Sequence, residues 1–291
     1  MIFLAKDSYI RATGNGKDFN IEIDQLAPTS LNYYQASLEA AKEIEANRHG
    51  PLYMMYSGGV DSEYALNVFL SLGINITPVI VKLMPSYNLF DIGFAHKLCS
   101  SKGLTPLVID IDYDKFVTNG TMLELAVLMK SEVYHYATTA YAIGKLDGTV
   151  VCGDGEPYIK KNIAGSWDVT VYEYEYALPN FYRTMSIYGT PHFNRYTPAM
   201  MRSFMETPRI ADLASNGVEG KLGSTSSKWL IYNQHSNFNL KERPKFHGYE
   251  KIENSKIIQH ESFAELAKLG QQWNGVYEED YYSFMDRLCV Q

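Results

Sequence analysis

Six consecutive residues have the types and spacing of a loop that wraps a phosphate group: Ser57, Gly58, Gly59, Val60, Asp61 and Ser62. Paired glycines let backbone N–H groups point at an anion with no Cβ in the way, and the serine hydroxyls add further donors. An apolar run at residues 52–56 precedes the loop, and a helix-like pattern at residues 63–70 follows it. The sequence therefore predicts a phosphate site at the N-terminus of a helix that follows a buried strand.

Asp61 is the unusual member of this loop because its carboxylate would repel a phosphate. At about 4 Å and an effective dielectric constant near 20 the repulsion is roughly 4 kcal/mol, and a helix dipole offsets at most about 2 kcal/mol. A divalent cation between Asp61 and the phosphates removes the conflict, and Mg²⁺ is the usual cation with oxygen ligands. The loop thus predicts a metal as well as a nucleotide. The competing interpretation is a glycine turn that Asp61 caps.

A second group of polar residues follows the predicted strand at 149–152: Gly153, Asp154, Gly155 and Glu156. The carboxyl ends of parallel strands share one edge of a sheet, so this turn should face the phosphate loop. Asp154 and Glu156 supply oxygen ligands, and the sequence leaves open which of them meets the metal. The alternative is an acidic turn at the surface.

The elements that position these loops alternate regularly. Short strands are expected near 2–4, 9–12 and 19–23, and a helix that Thr29 or Ser30 caps should run through residue 44 and stop near Gly50 and Pro51. The elements predicted from the phosphate loop onward are a helix at 62–72, a strand at 76–83, a helix at 88–102, a strand at 106–111, a helix at 121–144 and a strand at 149–152. Helices between apolar strands are typical of βαβ units and a parallel sheet.

The alternation stops beyond residue 165. A strand is expected at 169–177 and helices at 197–216 and 260–270, whereas residues 219–256 look rich in loops. The predicted fold class is α/β, a doubly wound parallel sheet of the Rossmann-like kind with a small N-terminal β element and an α+β C-terminal elaboration. The predicted divisions are an N-terminal part packing on the core (1–50), the nucleotide-binding core (51–165) and a substrate-binding or capping region (166–291).

The segment from Ser57 to Ser62 resembles the Ser-Gly-Gly-x-Asp-Ser signature of the N-type ATP pyrophosphatases, the PP-loop superfamily. The turn after residue 152 is similar to the corresponding turn of asparagine synthetases, with different spacing. The resemblance implies an adenine nucleotide α-hydrolase-like fold, cleavage of ATP between its α and β phosphates, and Mg²⁺ held by Asp61 with Asp154 or Glu156. It implies ATP binding by the loop residues with Val81, Gly153 and Asp154, and charge balance on pyrophosphate by Lys160 or Lys161, which with Asp61 would be catalytic.

The adenine ring is expected beside the end of the second sheet strand, where the backbone from Val81 to Leu83 can read its edge. His192, Arg195 and Arg202 are candidates for a substrate pocket or for ordinary surface charge. The 23 tyrosines suggest amphipathic packing first and an aromatic or base-like substrate second.

The composition of the chain limits the binding partners and the cellular compartment that we expect. A net charge of −7 over 291 residues argues against a broad nucleic-acid surface. The first residues become charged too early for a signal peptide, no apolar run reaches the ~20 residues of a membrane span, and three scattered cysteines fit a reducing compartment. We therefore expect a cytoplasmic protein with no membrane partner, and homo-oligomerisation is left open.

The leading functional hypothesis is an AMP-forming ligase that adenylates a carboxylate or carbonyl oxygen of a small-molecule or base-like substrate and then transfers ammonia or an amine. The nitrogen donor is expected from another source, because residue 2 is isoleucine where an N-terminal glutaminase of that family has cysteine. One alternative is a sulfur transferase acting on a nucleobase through an adenylated intermediate, with Cys99 or Cys152 as its thiol. Another is a non-catalytic nucleotide-binding regulatory module, which pyrophosphate release would exclude.

Overall fold

The computed structural model describes residues 9–162, 164–207, 228–241 and 250–288. The strands are β1 Ile10–Thr13, β2 Asn20–Ile23, β3 Leu52–Met55, β4 Thr77–Met84, β5 Leu107–Asp112, β6 Thr149–Cys152, β7 Tyr158–Lys161, β8 Trp167–Tyr172, β9 Tyr188–Thr190 and β10 Val276–Asp280. The helices are α1 Tyr33–Ala46, α2 Val60–Ser71, α3 Leu89–Ser101, α4 Tyr113–Thr118, α5 Thr121–Met129, α6 Tyr134–Ile143, α7 Ala177–Met185, α8 Pro198–Met205, α9 Lys228–Asn233, α10 Glu250–Glu253, α11 Glu261–Gly270 and α12 Tyr281–Leu288.

The centre of the fold is a five-stranded sheet in the order β5-β4-β3-β6-β9, with every neighbouring pair parallel. The chain enters at the central strand β3, moves outward through β4 to β5, and then crosses back to β6 on the other side of β3. The strand order therefore reverses between β3 and β6, which is where ligands bind in sheets of this kind. The loops after these two strands are the two segments singled out in the sequence.

Helices cover both faces of this sheet. Met54 and Ile80 pack into one apolar cluster with residues of α1, α2, α3 and α8. Met55 and Val79, their neighbours in the strands, pack into a second cluster with residues of α5, α6 and α7. Successive strand residues point to opposite faces, so the apolar runs of the sequence serve both layers. The predicted α/β class with a parallel sheet is confirmed, and the architecture is consistent with a Rossmann-like fold.

Two antiparallel sheets accompany the parallel one. β1 pairs with β2, as the N-terminal β element predicts, and β10-β8-β7 form a three-stranded sheet in the C-terminal half. The parallel sheet itself takes its fifth strand from Tyr188–Thr190. It therefore extends beyond the boundary predicted at residue 165.

Three predictions of local structure are wrong, each for a local reason. The helix expected at 121–144 is broken between α5 and α6, because Lys130 adopts a left-handed conformation with φ 56° that ends α5. The strand expected at 169–177 ends at Tyr172, since Glu173 turns to accept backbone N–H bonds from Gly16 and Gly275 at 2.7 and 2.9 Å. The helix that Thr29 or Ser30 was expected to cap is capped by Asn32, because Asn32 Oδ1 accepts from Gln35 N at 2.9 Å while the Gln35 side chain accepts from Asn32 N at 3.1 Å. The strand expected at residues 2–4 lies outside the described residues.

The C-terminal predictions have mixed outcomes. The helix expected at 260–270 is confirmed by α11. The helix expected at 197–216 starts as predicted but ends at Met205, with Glu206 as its C-cap, and residues 208–216 lie outside the described residues. The stretch expected to be rich in loops, 219–256, contains the short helices α9 and α10.

Gly58 must be glycine for two independent reasons. Its φ is +87°, and a Cβ would lie 2.5 Å from the backbone oxygen of Asp91 in α3. Gly73 has φ +69° and nothing within 4 Å of such a Cβ. G73A therefore measures the backbone strain alone, and we expect G58A to lose about 1 to 3 kcal/mol more of unfolding free energy because of overpacking.

Urea denaturation of the two variants tests this difference. Equal losses of stability in G58A and G73A would contradict the close approach of the phosphate loop to α3.

Candidate functional site

The two loops of interest are in direct contact. Gly153, the first residue after β6, packs so tightly on α2 that a Cβ would lie 2.5 Å from Ser62 Cα. Gly155, with φ +101°, packs equally closely on His192. The glycines thus allow the β6 turn to lie between the phosphate loop and the segment after β9.

The phosphate loop is held by its own hydroxyl groups. Ser57 Oγ accepts from Gly59 N at 3.2 Å and lies 3.2 Å from Ser62 Oγ, and Ser62 Oγ donates to the Gly59 carbonyl at 3.2 Å. Gly59 precedes α2 with no side chain capping its first turn. The positive end of the helix dipole and its first N–H groups are therefore directed towards the loop, as an anion site requires.

Asp61 and Glu156 are joined by a lysine that was not among the residues expected from the sequence. Lys228 Nζ, at the start of α9, donates to Asp61 Oδ2 at 3.0 Å and also to Glu156 Oε1. Its side chain is only 7% exposed. Burial favours the neutral amine, but the charges of Asp61 and Glu156 outweigh it and raise the pKa of Lys228, so this lysine is a cation.

Tyr232, one turn further along α9, fixes the other oxygen of Asp61. Its hydroxyl donates to Asp61 Oδ1 at 2.6 Å, and its ring stacks on Tyr64 with centroids 4.4 Å apart. Burial, followed by the charge of Asp61, raises the pKa of Tyr232 and keeps it a donor. The spacing of Lys228 and Tyr232, four residues apart, places them on one helix face and was the signal available in the sequence.

Asp154 differs from the other two acids. The residue is exposed, and within the described ranges its side chain makes no hydrogen bond or ion pair, whereas its backbone oxygen accepts from Asn194 N at 3.1 Å. Desolvation between the loops, and then the negative charge of Asp61, raise the pKa of Asp154 to about 6. Burial and the Asp61 charge also raise the pKa of Glu156 above its ordinary value.

The chemistry of these donors fits Mg²⁺. Asp61, Asp154 and Glu156 are carboxylates on two adjoining loops, and the ammonium of Lys228 already occupies a cation position between two of them. No three His, Cys, Asp or Glu side chains of the described ranges form a metal-binding group by themselves. Mg²⁺ commonly binds one or two carboxylates together with substrate phosphates, so an all-protein cage is not needed.

Other predicted site residues have different surroundings. The carbonyl of Val81 accepts from Asn88 Nδ2, and Leu83 N donates to Asn88 Oδ1, each at 2.8 Å. The backbone groups expected to read adenine are therefore already satisfied, and adenine would have to displace the Asn88 amide. Lys160 and Lys161 lie in β7, but their side chains are outside the described part of the structure, so their role stays a prediction.

Arg195 is buried and belongs to the framework of the site. It is 1% exposed, contacts Glu175 Oε2 at 3.3 Å, and lies 3.1 Å from His192 Nδ1. Asn194 beside it donates to the Gly153 carbonyl and to Tyr232 OH. The segment after β9 thus supports the β6 turn, and the alternative of ordinary surface charge is wrong for Arg195.

The two described cysteines are poor nucleophiles. Cys99 and Cys152 are both buried, and burial raises the pKa of each thiol. Cys152 Sγ also lies 3.4 Å from Tyr182 OH inside the core. A buried thiol with a raised pKa is rarely ionised at neutral pH, so neither cysteine suits sulfur transfer.

Comparison of the sequence with models of known protein families finds no matching family, and comparison with curated proteins finds no significant match. Among the described residues, no helix combines the length and the apolar character needed to cross a bilayer.

The raised pKa of Asp154 predicts a pH-dependent effect of D154N. In the unfolded chain an aspartate has a pKa near 3.9, whereas in the folded protein Asp154 has a pKa of about 6. The folded state therefore holds the proton more tightly, and ionised Asp154 opposes folding increasingly as the pH rises from about 4 to above 6. D154N should raise Tm at pH 7.5 without Mg²⁺ and leave it unchanged at pH 4.

Water screens this exposed carboxylate, so the gain should be small, roughly 1 to 2 °C. D286N, at an exposed aspartate of α12, is the control and should show no such pH dependence. A D154N protein no more stable than the wild type at pH 7.5 would contradict the conclusion that burial and the charge of Asp61 raise the pKa of Asp154.

Proposed function

We propose that this protein is an ATP-dependent, AMP-forming ligase of the PP-loop kind, with an adenine nucleotide α-hydrolase-like fold. It adenylates a carboxylate or carbonyl oxygen of a small-molecule or base-like substrate, releases pyrophosphate, and transfers ammonia or an amine. The observation that carries the proposal is the contact between two loops at the switch in strand order, one glycine-rich and the other acidic.

The anion would bind at the start of α2. The uncapped first turn, the closely packed Gly58 and the hydroxyls of Ser57 and Ser62 together provide donors for phosphate oxygens. Ser57 is exposed, so a ligand can reach it without opening the core.

Asp61 and Asp154 would hold Mg²⁺ on the phosphates, where the ion neutralises their charge. Tyr232 orients Asp61 through its 2.6 Å hydrogen bond and so limits the positions the carboxylate can take. Asn194 supports the Gly153 carbonyl and thereby the turn that carries Asp154. These contacts keep both acids in place before a ligand binds, which lowers the reorganisation needed during reaction.

Lys228 is the group we assign to the departing pyrophosphate. In the first step an oxygen of the substrate attacks the α-phosphorus, and the bond to the bridging oxygen of the β-phosphate breaks. Negative charge then accumulates on pyrophosphate, next to the one described ammonium that contacts both loops. In the second step the amine nitrogen attacks the activated carbon, AMP leaves, and the nitrogen loses a proton.

The first test identifies the nucleotide that the protein forms from ATP. The full chain is incubated with Mg²⁺, α-labelled ATP and a panel of carboxylic acids and nucleobases, each with ammonium or a small amine. We expect labelled AMP and an equal amount of pyrophosphate. Labelled ADP would contradict the proposal, and tight ATP binding without any turnover would favour a regulatory module.

The second test removes the charge of Lys228. K228M should lower AMP formation at least about 100-fold, the scale on which single stabilising donors act. It also leaves Asp61 and Glu156 without their cation, and breaking such a buried pair costs about 3 to 5 kcal/mol. K228R, which keeps the charge, is therefore assayed beside it and should retain the fold and part of the activity.

K268M changes a lysine whose side chain is 75% exposed and should behave as the wild type. If K228M folds and forms AMP at the wild-type rate, the proposed role of Lys228 in pyrophosphate release is wrong.

A further inference from the structure

Four tyrosines form a group next to the acidic turn, which we call the tyrosine cage: Tyr136, Tyr158, Tyr172 and Tyr174. Tyr172 and Tyr174 stack with centroids 5.0 Å apart and planes at 10°. Tyr158 lies edge-on to Tyr172 at 5.9 Å, and Tyr136 approaches Tyr174 at 6.3 Å. All four are only partly buried, so the rings keep surface open to a ligand.

Two members of the cage, Tyr158 and Tyr172, lie on the face of the three-stranded sheet opposite Val169 and Val171. Tyr158 in β7 pairs with Thr170 in β8, and paired residues lie on the same face of a sheet. Tyr172 is two residues after Thr170 in β8, so it lies on this face as well. Val169 and Val171 point the other way and belong to an apolar cluster. The tyrosines on this face are therefore not needed to fill that core.

Thr170 adds an unsatisfied polar group to the same face. It is 1% exposed, and its hydroxyl has no hydrogen-bond partner in the described residues. A buried polar atom without a partner has lost its hydrogen bonds to water and gained none in return, so such atoms are rare in folded proteins. The hydroxyls of Tyr136, Tyr158 and Tyr174 likewise have no partner in the described ranges.

Carboxylates border the cage. Burial, followed by the charges of Asp154 and Glu175, raises the pKa of Tyr136. Burial, followed by the charge of Glu175 and then the neighbouring tyrosines and Glu132, raises the pKa of Tyr174. Glu175 is paired with Arg195 at 3.3 Å, whereas Asp154 has no ion-pair partner within the described residues and leaves its negative charge beside the rings. Faces of electron-rich rings beside carboxylates attract cations and not anions.

We propose that the tyrosine cage binds an organic cation that carries an N–H or O–H donor. The cage is close in sequence to the candidate metal ligands, because β7, which carries Tyr158, begins four residues after Asp154. Within the proposed function, on which this role rests, the cage would hold the amine that attacks the adenylated substrate. The negative face of each ring would attract the cation.

Choline and its uncharged isostere 3,3-dimethylbutan-1-ol test the cage directly. Binding is measured by calorimetry and by ligand NMR on the full chain without nucleotide. We expect choline to bind at least about tenfold more tightly than the alcohol, and Y174L to weaken choline binding at least tenfold. Y174F keeps the ring and should stay within about threefold of the wild type.

Y282L, at an exposed tyrosine outside the cage, is the matched control and should leave binding unchanged. If Y174L does not fold, Y136L replaces it with the same expectation. Equal binding of choline and the alcohol, no binding of choline, or wild-type choline binding by a folded cage variant would overturn the proposal.

The assay separates this inference from the ligase proposal. Choline binding without AMP formation would leave the cage in place and remove its role as amine site. If the protein forms AMP but does not bind choline, the proposal of a cation site at the tyrosine cage fails and the ligase proposal stands.

Discussion

Two adjoining loops carry three carboxylates, and the remainder of the site follows from how their charges are balanced. Lys228 forms ion pairs with both Asp61 and Glu156, so one positive charge is shared by two acids, whereas Asp154 has no ion-pair partner within the described residues. A lysine bound to two acids is a stable arrangement only while no stronger cation or anion competes with it. We infer that a metal–phosphate ligand would redistribute these contacts: the metal would take the acids, and the lysine would take the phosphate.

The fold produces this junction by its strand order. Because the chain leaves β3 in one direction and returns on its other side as β6, the loops after these strands adjoin at the carboxyl edge of the sheet. Glycines at 58, 153 and 155 let the backbones approach more closely than any side chain would permit. Helix α9 then brings Lys228 and Tyr232 to Asp61 from the C-terminal half of the chain.

The sequence predicted the elements whose signals are local and strong. The apolar runs of β3, β4, β5 and β6 and the loop at residues 57–62 required no tertiary information. The break at Lys130 was not predicted, because a left-handed lysine is set by packing and not by its own preference. Lys228 was missed for a related reason: α9 has six residues, too few for a periodic pattern, and its function depends on acids 167 and 72 residues away. The hydrogen bond from Asn88 to the Val81 carbonyl was not predicted either, because it depends on how the chain turns between β4 and α3 and no pattern in the sequence marks it.

A crystal structure with Mg²⁺ and α,β-methylene-ATP, which cannot be cleaved at the inner linkage, would show whether the two loops bind the nucleotide. We expect phosphate oxygens within about 3 Å of backbone nitrogens of residues 57–62, a metal on Asp61 or Asp154, and Lys228 turned from Glu156 towards the β-phosphate. A triphosphate bound elsewhere, with the Lys228 contacts to Asp61 and Glu156 unchanged, would contradict this expectation.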